Sequence, residues 1–450
     1  MNKEQVQIIL FSKLKKYELP QTPILVPTNL KRYGLSEIVN HLLGNEKPIP
    51  FDFLIEGLFL RSSLEEYLNS KGISTENIIN IEFIESLKPP TSQAQFPTSS
   101  WISSIKIAQD NLFYVASYDS TIQVWNTQNQ CETKLVGHNG PVKSVSCLPE
   151  IHSQKYKLDL VSGSLDQTVI GWSKNTDNKN AIAFDQAYIG YGHTSSIDDI
   201  TFTLDGSHFI TASSDSTLKL WTTDLPDIES QKDILENGIE GIPSLANIIS
   251  EKISKKSKKS KTTNSENSEK LIKVSKTTFK GHTGPVTAVV VGSSANNIFY
   301  SCGMDHSIRT WDIITGDNTF TKVGNDVVLS IDYSELSGLL VTGHTDNVVR
   351  VWDPRIEDTN LASMNLKGHS GWVKSTKWSS ESQYMFATAS YDGTSKIWDI
   401  RSTSSSMFSL PFPKTKSKTS ELPDKLLALD WKSKTLVSGG QSGDLYIHSS

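Results

Sequence analysis

An aspartate followed six residues later by a tryptophan occurs six times between residues 119 and 398, and this recurrence limits the folds open to the chain more than any other feature. The pairs are Asp119/Trp125, Asp166/Trp172, Asp215/Trp221, Asp305/Trp311, Asp346/Trp352 and Asp392/Trp398. Apolar residues alternate between the two members of each pair, as in a strand buried on one face. Successive tryptophans are 47, 49, 90, 41 and 46 residues apart. A fixed period of this size signals stacked supersecondary units. The gap of 90 is one period plus roughly 45 residues, which marks an insertion.

Gly-His precedes four of these pairs, at Gly137-His138, Gly192-His193, Gly281-His282 and Gly368-His369. The stretches GHNGPVKSV…SGSLDQTVIGW and GHTGPVTAV…SCGMDHSIRTWD carry the combination. At this point the chain resembles the WD-repeat β-propellers. A degenerate copy follows in LLALDWKSKTLVSGGQSGDLYIHSS, with Ser442 at the Asp position and His448 at the Trp position. The count is therefore seven blades. The last copy stops after its third strand, so the missing outer strand must come from Thr91–Thr98. Joining the two ends in one blade removes a free sheet edge and closes the ring.

The resemblance implies a role for the repeated polar residues. In WD repeats the His and Asp form a buried hydrogen-bonded network with a Ser or Thr and the Trp indole, and this fixes a turn within the blade. The sets here are His138, Asp166 and Trp172; His193, Asp215 and Trp221; His282, Asp305 and Trp311; and His369, Asp392 and Trp398. A scaffold device recurs whereas an active site is normally unique, so a catalytic reading of these pairs is rejected. Repeats five and seven lack Gly-His, and their blades are expected to be less rigid.

Residues 1–90 lack the repeat. VQIILFS (6–12), Ile24–Val26, Phe51–Ile55, Leu58–Leu60 and Ile78–Ile84 read as strands. Leu35–Leu43 has helical apolar spacing, with Ser36 as its cap and Gly44 as its end, and Ser63–Leu68 is a further helical turn stopped by Gly72. The order ββαββ around one small sheet resembles a ubiquitin-like fold, and Pro89-Pro90 opens the linker. The expected fold class is mainly β: a ubiquitin-like α+β domain over 1–90, then a seven-bladed propeller over 91–450.

That pairing resembles the ribosome-biogenesis WD-repeat proteins whose N-terminal domain is shared with notchless proteins, and most closely the WD-repeat subunits of the pescadillo–block-of-proliferation complex. INIEFIESLKPP (79–90) matches their Glu-aromatic pair followed by Pro-Pro, and Ser100-Trp101-Ile102 opens the propeller as theirs does. Seven blades also fit, where notchless proteins have eight. The resemblance implies that the first domain docks on midasin, a giant AAA ATPase, and that an acidic side chain completes the coordination of a divalent ion held by midasin. Mg²⁺ suits this, being a hard ion that takes oxygen ligands and keeps open positions. The residue at the family position is Glu82. Ile79, Ile81 and Phe83 share one face of the strand, so Glu82 lies on the other and is expected to be exposed at the strand's end, with Glu85 on the opposite parity. The resemblance further implies that the propeller binds a block-of-proliferation-type scaffold, which holds pescadillo. It implies association with large-subunit pre-ribosomes in the nucleolus and nucleoplasm.

The remaining composition narrows the alternatives. Lys and Arg number 44 against 49 Asp and Glu, a net charge of −5, which disfavours a general nucleic-acid-coating protein. Three cysteines without CxxC spacing argue against a disulfide framework or a cysteine zinc site and favour a reducing compartment. The N-terminus lacks a signal-peptide pattern, and no apolar run approaches the roughly 20 residues of a membrane span. No P-loop, GxSxG or HExxH is present, so neither an enzyme nor an intrinsic cofactor is expected. The insertion, about Thr223–Thr278, passes from acidic DIESQKDILENGIE to basic EKISKKSKKSK. It reads as a mobile loop between blades three and four that supplies an outer strand near Leu271–Thr278. Its lysines suit a nuclear localisation signal, an RNA contact or a solvated tail, and Lys414, Lys416 and Lys418 form a smaller basic loop. A WD-repeat substrate adaptor of a ubiquitin ligase and a notchless-type factor are the competing readings. The first lacks an F-box-like pattern and the second needs an eighth blade.

Overall fold

A computed structural model describes residues 4–449, apart from 21, 46, 99, 109–111, 129, 176–182, 227–270, 294–296, 357–361, 403–404 and 413–423. The chain divides into two compact units, one formed by Met1–Pro90 and the other by Thr91–Trp398 with Ser406–Ser449.

The first unit runs β1 (Gln5–Phe11), β2 (Ile24–Pro27), α1 (Arg32–Leu43), β3 (Phe51–Ile55), β4 (Leu58–Phe59), α2 (Leu64–Lys71) and β5 (Ile79–Glu85). Its strands form one mixed sheet in the order β2-β1-β5-β3-β4, with β1 and β5 parallel at the centre. Strand alternation builds the core. Val6, Ile8 and Leu10 on β1, Phe51 and Phe53 on β3, and Ile79, Ile81 and Phe83 on β5 meet Leu35 and Val39 of α1 and Leu64 and Leu68 of α2. Phe51 and Phe83 pack edge to face at 5.4 Å. The helix starts differ from expectation. α1 begins at Arg32, and Ser36 is not its cap: from within the helix its hydroxyl donates to the Ile49 carbonyl and accepts from the Phe51 N–H. α2 has the side-chain cap, with the Ser63 Oγ accepting from the Glu66 N–H at 3.3 Å. Both helices end on a left-handed glycine, Gly44 and Gly72, each with φ of 65°.

The second unit is a propeller of seven sheets. The innermost strands of blades one to seven are Ile102–Ile107, Val142–Cys147, Ile197–Phe202, Val286–Val291, Val328–Tyr333, Val373–Trp378 and Leu426–Lys432. Among the described residues there is no eighth blade. The expected closure is present: β6 (Thr91–Pro97) pairs antiparallel with Asp444–Ser449, from Ser449↔Thr91 to Asp444↔Pro97.

The chain re-enters after the insertion differently from expectation. Leu271–Val274 does not complete blade three; it pairs in parallel with Ala183–Tyr191 as a fifth strand on blade two. Thr277–Lys280 then completes blade three against Thr217–Thr222. The apolar alternation of LIKV suits either edge, and burial of Ile272 and Lys273, with the Lys273 ammonium over the Tyr188 ring, settles it in favour of blade two.

Each seam between neighbouring blades carries a side-chain bond to the next blade's inner strand. Hydroxyls of Ser103, Thr287 and Ser375 donate to the carbonyls of Val142, Val328 and Leu429. Ser144, Asp199, Asp332 and Asp430 accept from the N–H groups of Ile200, Val289, Trp378 and Ile107. The seams therefore combine apolar packing with a directed polar contact, which fixes the rotation of one blade on the next.

Candidate functional site

Glu82 sits in β5, the central strand of the N-terminal sheet. Its ladder partners are Phe11 on β1 and Leu54 on β3, so it stands on the face opposite the helices, between two large apolar side chains. The parity argument holds, but the expected exposure at a strand end does not. The Glu82 side chain is only 14% exposed, and its carboxylate is paired with the Lys13 ammonium at 2.8 Å. Lys13 comes from the turn after β1, which the parallel β1–β5 register carries alongside Glu82. The lysine itself is 74% exposed. Asp52 shares this face through its pairing with Ile84, but it is taken up by Arg32 at 2.7 Å and by the Ser86 hydroxyl. Glu85 lies on the other parity at the sheet's end, where it accepts from the Tyr17 hydroxyl at 2.9 Å. Glu82 is thus a carboxylate in an apolar surround whose one ion-pair partner among the described residues is solvent-facing and displaceable. Among the described residues no group of three or more His, Cys, Asp or Glu side chains is arranged to hold a metal ion. A lone carboxylate fits as one donor to an ion held elsewhere and does not form a site of its own.

The four His-Asp sets form the networks expected of them. In blade two the Trp172 indole N–H donates to the Ser162 Oγ at 2.9 Å, which lies 2.8 Å from the His138 Nε2; the His138 Nδ1 lies 3.1 Å from the Asp166 Oδ2. The indole only donates and the carboxylate only accepts, so in the neutral imidazole the serine gives its proton to Nε2 and histidine holds its own on Nδ1. Thr211, Ser301 and Thr388 take the serine's part for His193, His282 and His369. Trp221, Trp311 and Trp398 donate to them at 2.8–2.9 Å. Burial opposes ionisation of Asp166, Asp215, Asp305 and Asp392, but hydrogen bonds from the histidine, a neighbouring hydroxyl and a backbone N–H outweigh it and hold each carboxyl far below its usual range. Burial keeps the His193 imidazole neutral by pushing its pKa down. Each of these Asp residues also accepts from the N–H two positions on, across a residue with positive φ: Gln167, Ser216, His306 or Gly393. The network therefore stabilises a turn that costs a non-glycine residue about 1–2 kcal/mol. These residues hold the turns of their blades.

Sequence reasoning missed the arrangement in blade five. That blade lacks Gly-His, yet the Trp352 indole still donates to the Thr342 Oγ1, and this hydroxyl lies 2.8 Å from the Nε2 of His344. The histidine arrives from the strand preceding Asp346 instead of from the preceding loop. Asp346 is held by the Arg350 guanidinium through both carboxylate oxygens. Blade seven shows no such substitute among the described residues: the Ser438 Oγ and the His448 Nδ1 are buried with no hydrogen-bond partner among them.

The structure also brings a charged cluster together in the central channel. Lys106, Lys143, Lys374 and Lys377 line a cavity of about 140 Å³ together with Asp198, Asp199 and Asp332. Different inner strands supply all of these but the Lys374–Lys377 and Asp198–Asp199 pairs, so no local motif announces them. The basic stretch 251–261 and Lys414, Lys416 and Lys418 fall outside the described residues.

Comparison with known proteins bears on both units. The family described as "NLE (NUC135) domain" matches residues 6–68. The family "WD domain, G-beta repeat" matches 90–126, 129–173, 185–222, 273–312, 317–353 and 361–399. The ribosome biogenesis protein ytm1 of Schizosaccharomyces pombe is 34% identical over 99% of this chain and 96% of its own length. The ribosome biogenesis protein YTM1 of Saccharomyces cerevisiae is 31% identical over 99% of this chain and 98% of its own. The ribosome biogenesis protein WDR12 homolog of Nematostella vectensis is 33% identical over 99% of both.

Proposed function

Because the chain belongs to the Ytm1/WDR12 family of ribosome biogenesis proteins, we propose that it is a non-enzymatic assembly factor of the large ribosomal subunit that works as a handle. The propeller anchors on a block-of-proliferation-type scaffold and, through it, on pescadillo and the pre-ribosome. The N-terminal unit presents Glu82 to the divalent ion of a midasin-type AAA ATPase. ATP-driven pulling then strips the complex from the particle, in the nucleolus and nucleoplasm. The observation that carries this reading is Glu82 itself, a carboxylate on the central strand, framed by Phe11 and Leu54 and paired with the exposed Lys13. In the reaction Glu82 gives up Lys13 and offers an oxygen to the metal, and the rigid sheet passes the force to the rest of the chain. A single hard metal–carboxylate bond in an apolar frame grips strongly and can be broken again.

The test is gradient sedimentation of tagged wild-type chain and Glu82→Ala from cells, with mass spectrometry of the proteins that travel with each. Wild type should bring down the scaffold, pescadillo and large-subunit precursors, and Glu82→Ala should accumulate on those particles without the ATPase. Release of Glu82→Ala at the wild-type rate would remove Glu82 from the mechanism.

A further inference from the structure

The outer strand of blade two, Ala183–Tyr191, is nine residues long, the longest of the described outer strands; those of the other blades run from three to seven. A long strand edge is a template for further pairing. Blade two is also the one propeller sheet with a fifth strand among the described residues. Leu271–Val274 pairs with its edge in parallel, from Tyr188↔Leu271 to Tyr191↔Val274. On that side residues 183–187 have no ladder partner among the described residues.

Leu271–Val274 acts as a strap across that edge. By Lys276 the chain is already on blade three: the Lys276 N–H donates to the Leu220 carbonyl at 2.7 Å, and Thr277–Lys280 forms that blade's outer strand. The strap brings only four residues to its ladder, and parallel pairing is slightly weaker per residue than antiparallel.

The strap also fits its seat imperfectly. Ile272 is buried, as an apolar edge residue should be, but so is Lys273, at 5% exposed. The Lys273 ammonium lies 4.6 Å from the Tyr188 ring centroid and donates to the Asp224 main-chain carbonyl. The Asp224 carboxylate offsets this burial only in part, so the pKa of Lys273 falls to about 8. The Tyr188 ring belongs to an apolar cluster with Leu158, Val169 and Phe209, and its hydroxyl is buried with no hydrogen-bond partner among the described residues. An apolar side chain in the place of Lys273 would cover the same ring without burying a charge. A segment that paired first with residues 183–187 would gain ladder bonds that the strap does not make, and from there would replace the strap residue by residue.

We propose that the outer edge of blade two is a strand-addition site, closed by Leu271–Val274 in the free chain, and that its partner is an extended segment running parallel to Ala183–Tyr191 with an apolar residue where the strap carries Lys273. Main-chain hydrogen bonds supply the affinity, and the position over Tyr188 supplies the selectivity.

The experiment uses full-length protein and two synthetic peptides, TVTVTLIMV and TVTVTLIKV, which differ only at the position of Lys273. Fluorescence anisotropy reads the affinity and hydrogen exchange reads the place. TVTVTLIMV should bind saturably, protect residues 183–187 and speed exchange at Leu271–Val274. TVTVTLIKV should bind about 10- to 100-fold more weakly, because it buries a lysine in the same seat. Ile272→Asp loosens the strap and should tighten binding of TVTVTLIMV about 10-fold or more; Lys273→Met relieves the strap's buried charge and should weaken it by about as much. Lys273→Met keeps the length of the side chain, so it tests the proposal even where Ile272→Asp does not fold. Absence of binding, protection elsewhere than residues 183–187, equal affinity for the two peptides, or affinity unmoved by Lys273→Met each overturns the proposal.

Discussion

Phe96 stacks on Trp125 with ring centroids 5.5 Å apart and planes 25° apart, although the two belong to neighbouring blades. Phe96 lies on β6, which precedes the propeller in sequence and serves as the outer strand of blade seven; Trp125 lies in blade one. The phenylalanine is fully buried, in a cluster with Ile102, Ile105, Phe113, Val115 and Leu445. Ring closure is therefore an apolar seam as well as a hydrogen-bond ladder. Phe96→Ala should cost about 3–5 kcal/mol, the usual range for emptying a buried aromatic site. Deletion of residues 1–100 should cost more, because it also exposes the edge of Asp444–Ser449. Denaturant midpoints check both, and a truncated chain with the wild-type midpoint would show that closure is not needed.

Much of this architecture was legible because it repeats. Asp-to-Trp spacing located six blades, and the spare strand at Thr91–Thr98 was found by asking what the last copy lacked. What stayed hidden were contacts assembled from parts distant in sequence. Alternation along β5 placed Glu82 on the open face, but Lys13 reaches it only through the parallel pairing of β1 with β5. His344 fills the histidine's place in blade five from two residues before Asp346, where no Gly-His pattern would look for it. The channel lysines are spread over blades one, two and six, and no window along the chain contains them all.

The histidine of blade five should give the protein an acid-sensitive step. His344 is 2% exposed, and burial, followed by the charge of Arg350, lowers its pKa to about 4. Asp346 opposes this only in part. Between about pH 6.5 and pH 4 the unfolded chain takes up a proton at this position and the folded chain does not. Stability must therefore fall as pH drops through that window, by on the order of 3 kcal/mol for this residue. His193, also depressed by burial, acts in the same direction. His344→Gln keeps a hydrogen-bonding group beside Thr342 but does not titrate. Urea midpoints from pH 7 to pH 4 should then decline less steeply than in wild type, and parallel declines would assign the acid sensitivity elsewhere.

Asp332 bridges two blades in two ways, accepting from the Lys377 ammonium and from the Trp378 N–H. The carboxylate outweighs the burial of Lys377 and holds that ammonium's pKa up at about 12. Asp332→Ala removes both bonds and leaves Lys377 with only the charges of Asp430 and Asp199 to offset its burial, which should cost up to about 3 kcal/mol. Asp332→Ala combined with Lys377→Met removes the stranded charge as well and should recover a large part of that loss. Thermal unfolding of the two singles and the double gives the coupling. A double variant as unstable as the sum of its singles would show that the lysine is not stranded by loss of the aspartate.

Lys13 and Glu82 make a prediction that runs against the usual effect of breaking an ion pair. Lys13 is mostly solvent-exposed, so the bridge contributes at most about 1 kcal/mol to folding. If Glu82 must release Lys13 before it can reach the partner's metal, that same energy is a cost of docking. Lys13→Met should leave the melting temperature of the N-terminal sheet nearly unchanged while tightening binding to the AAA ATPase by up to about fivefold. Glu82→Gln should abolish that binding, because an amide is a weaker donor to a hard ion than a carboxylate. Glu85→Ala, on the opposite parity and bonded to Tyr17, should not affect it. Binding measured with all three variants at fixed Mg²⁺ separates the outcomes. Weaker binding by Lys13→Met would mean that the lysine contacts the partner directly, and equal losses in Glu82→Gln and Glu85→Ala would point to general charge instead of a metal bond.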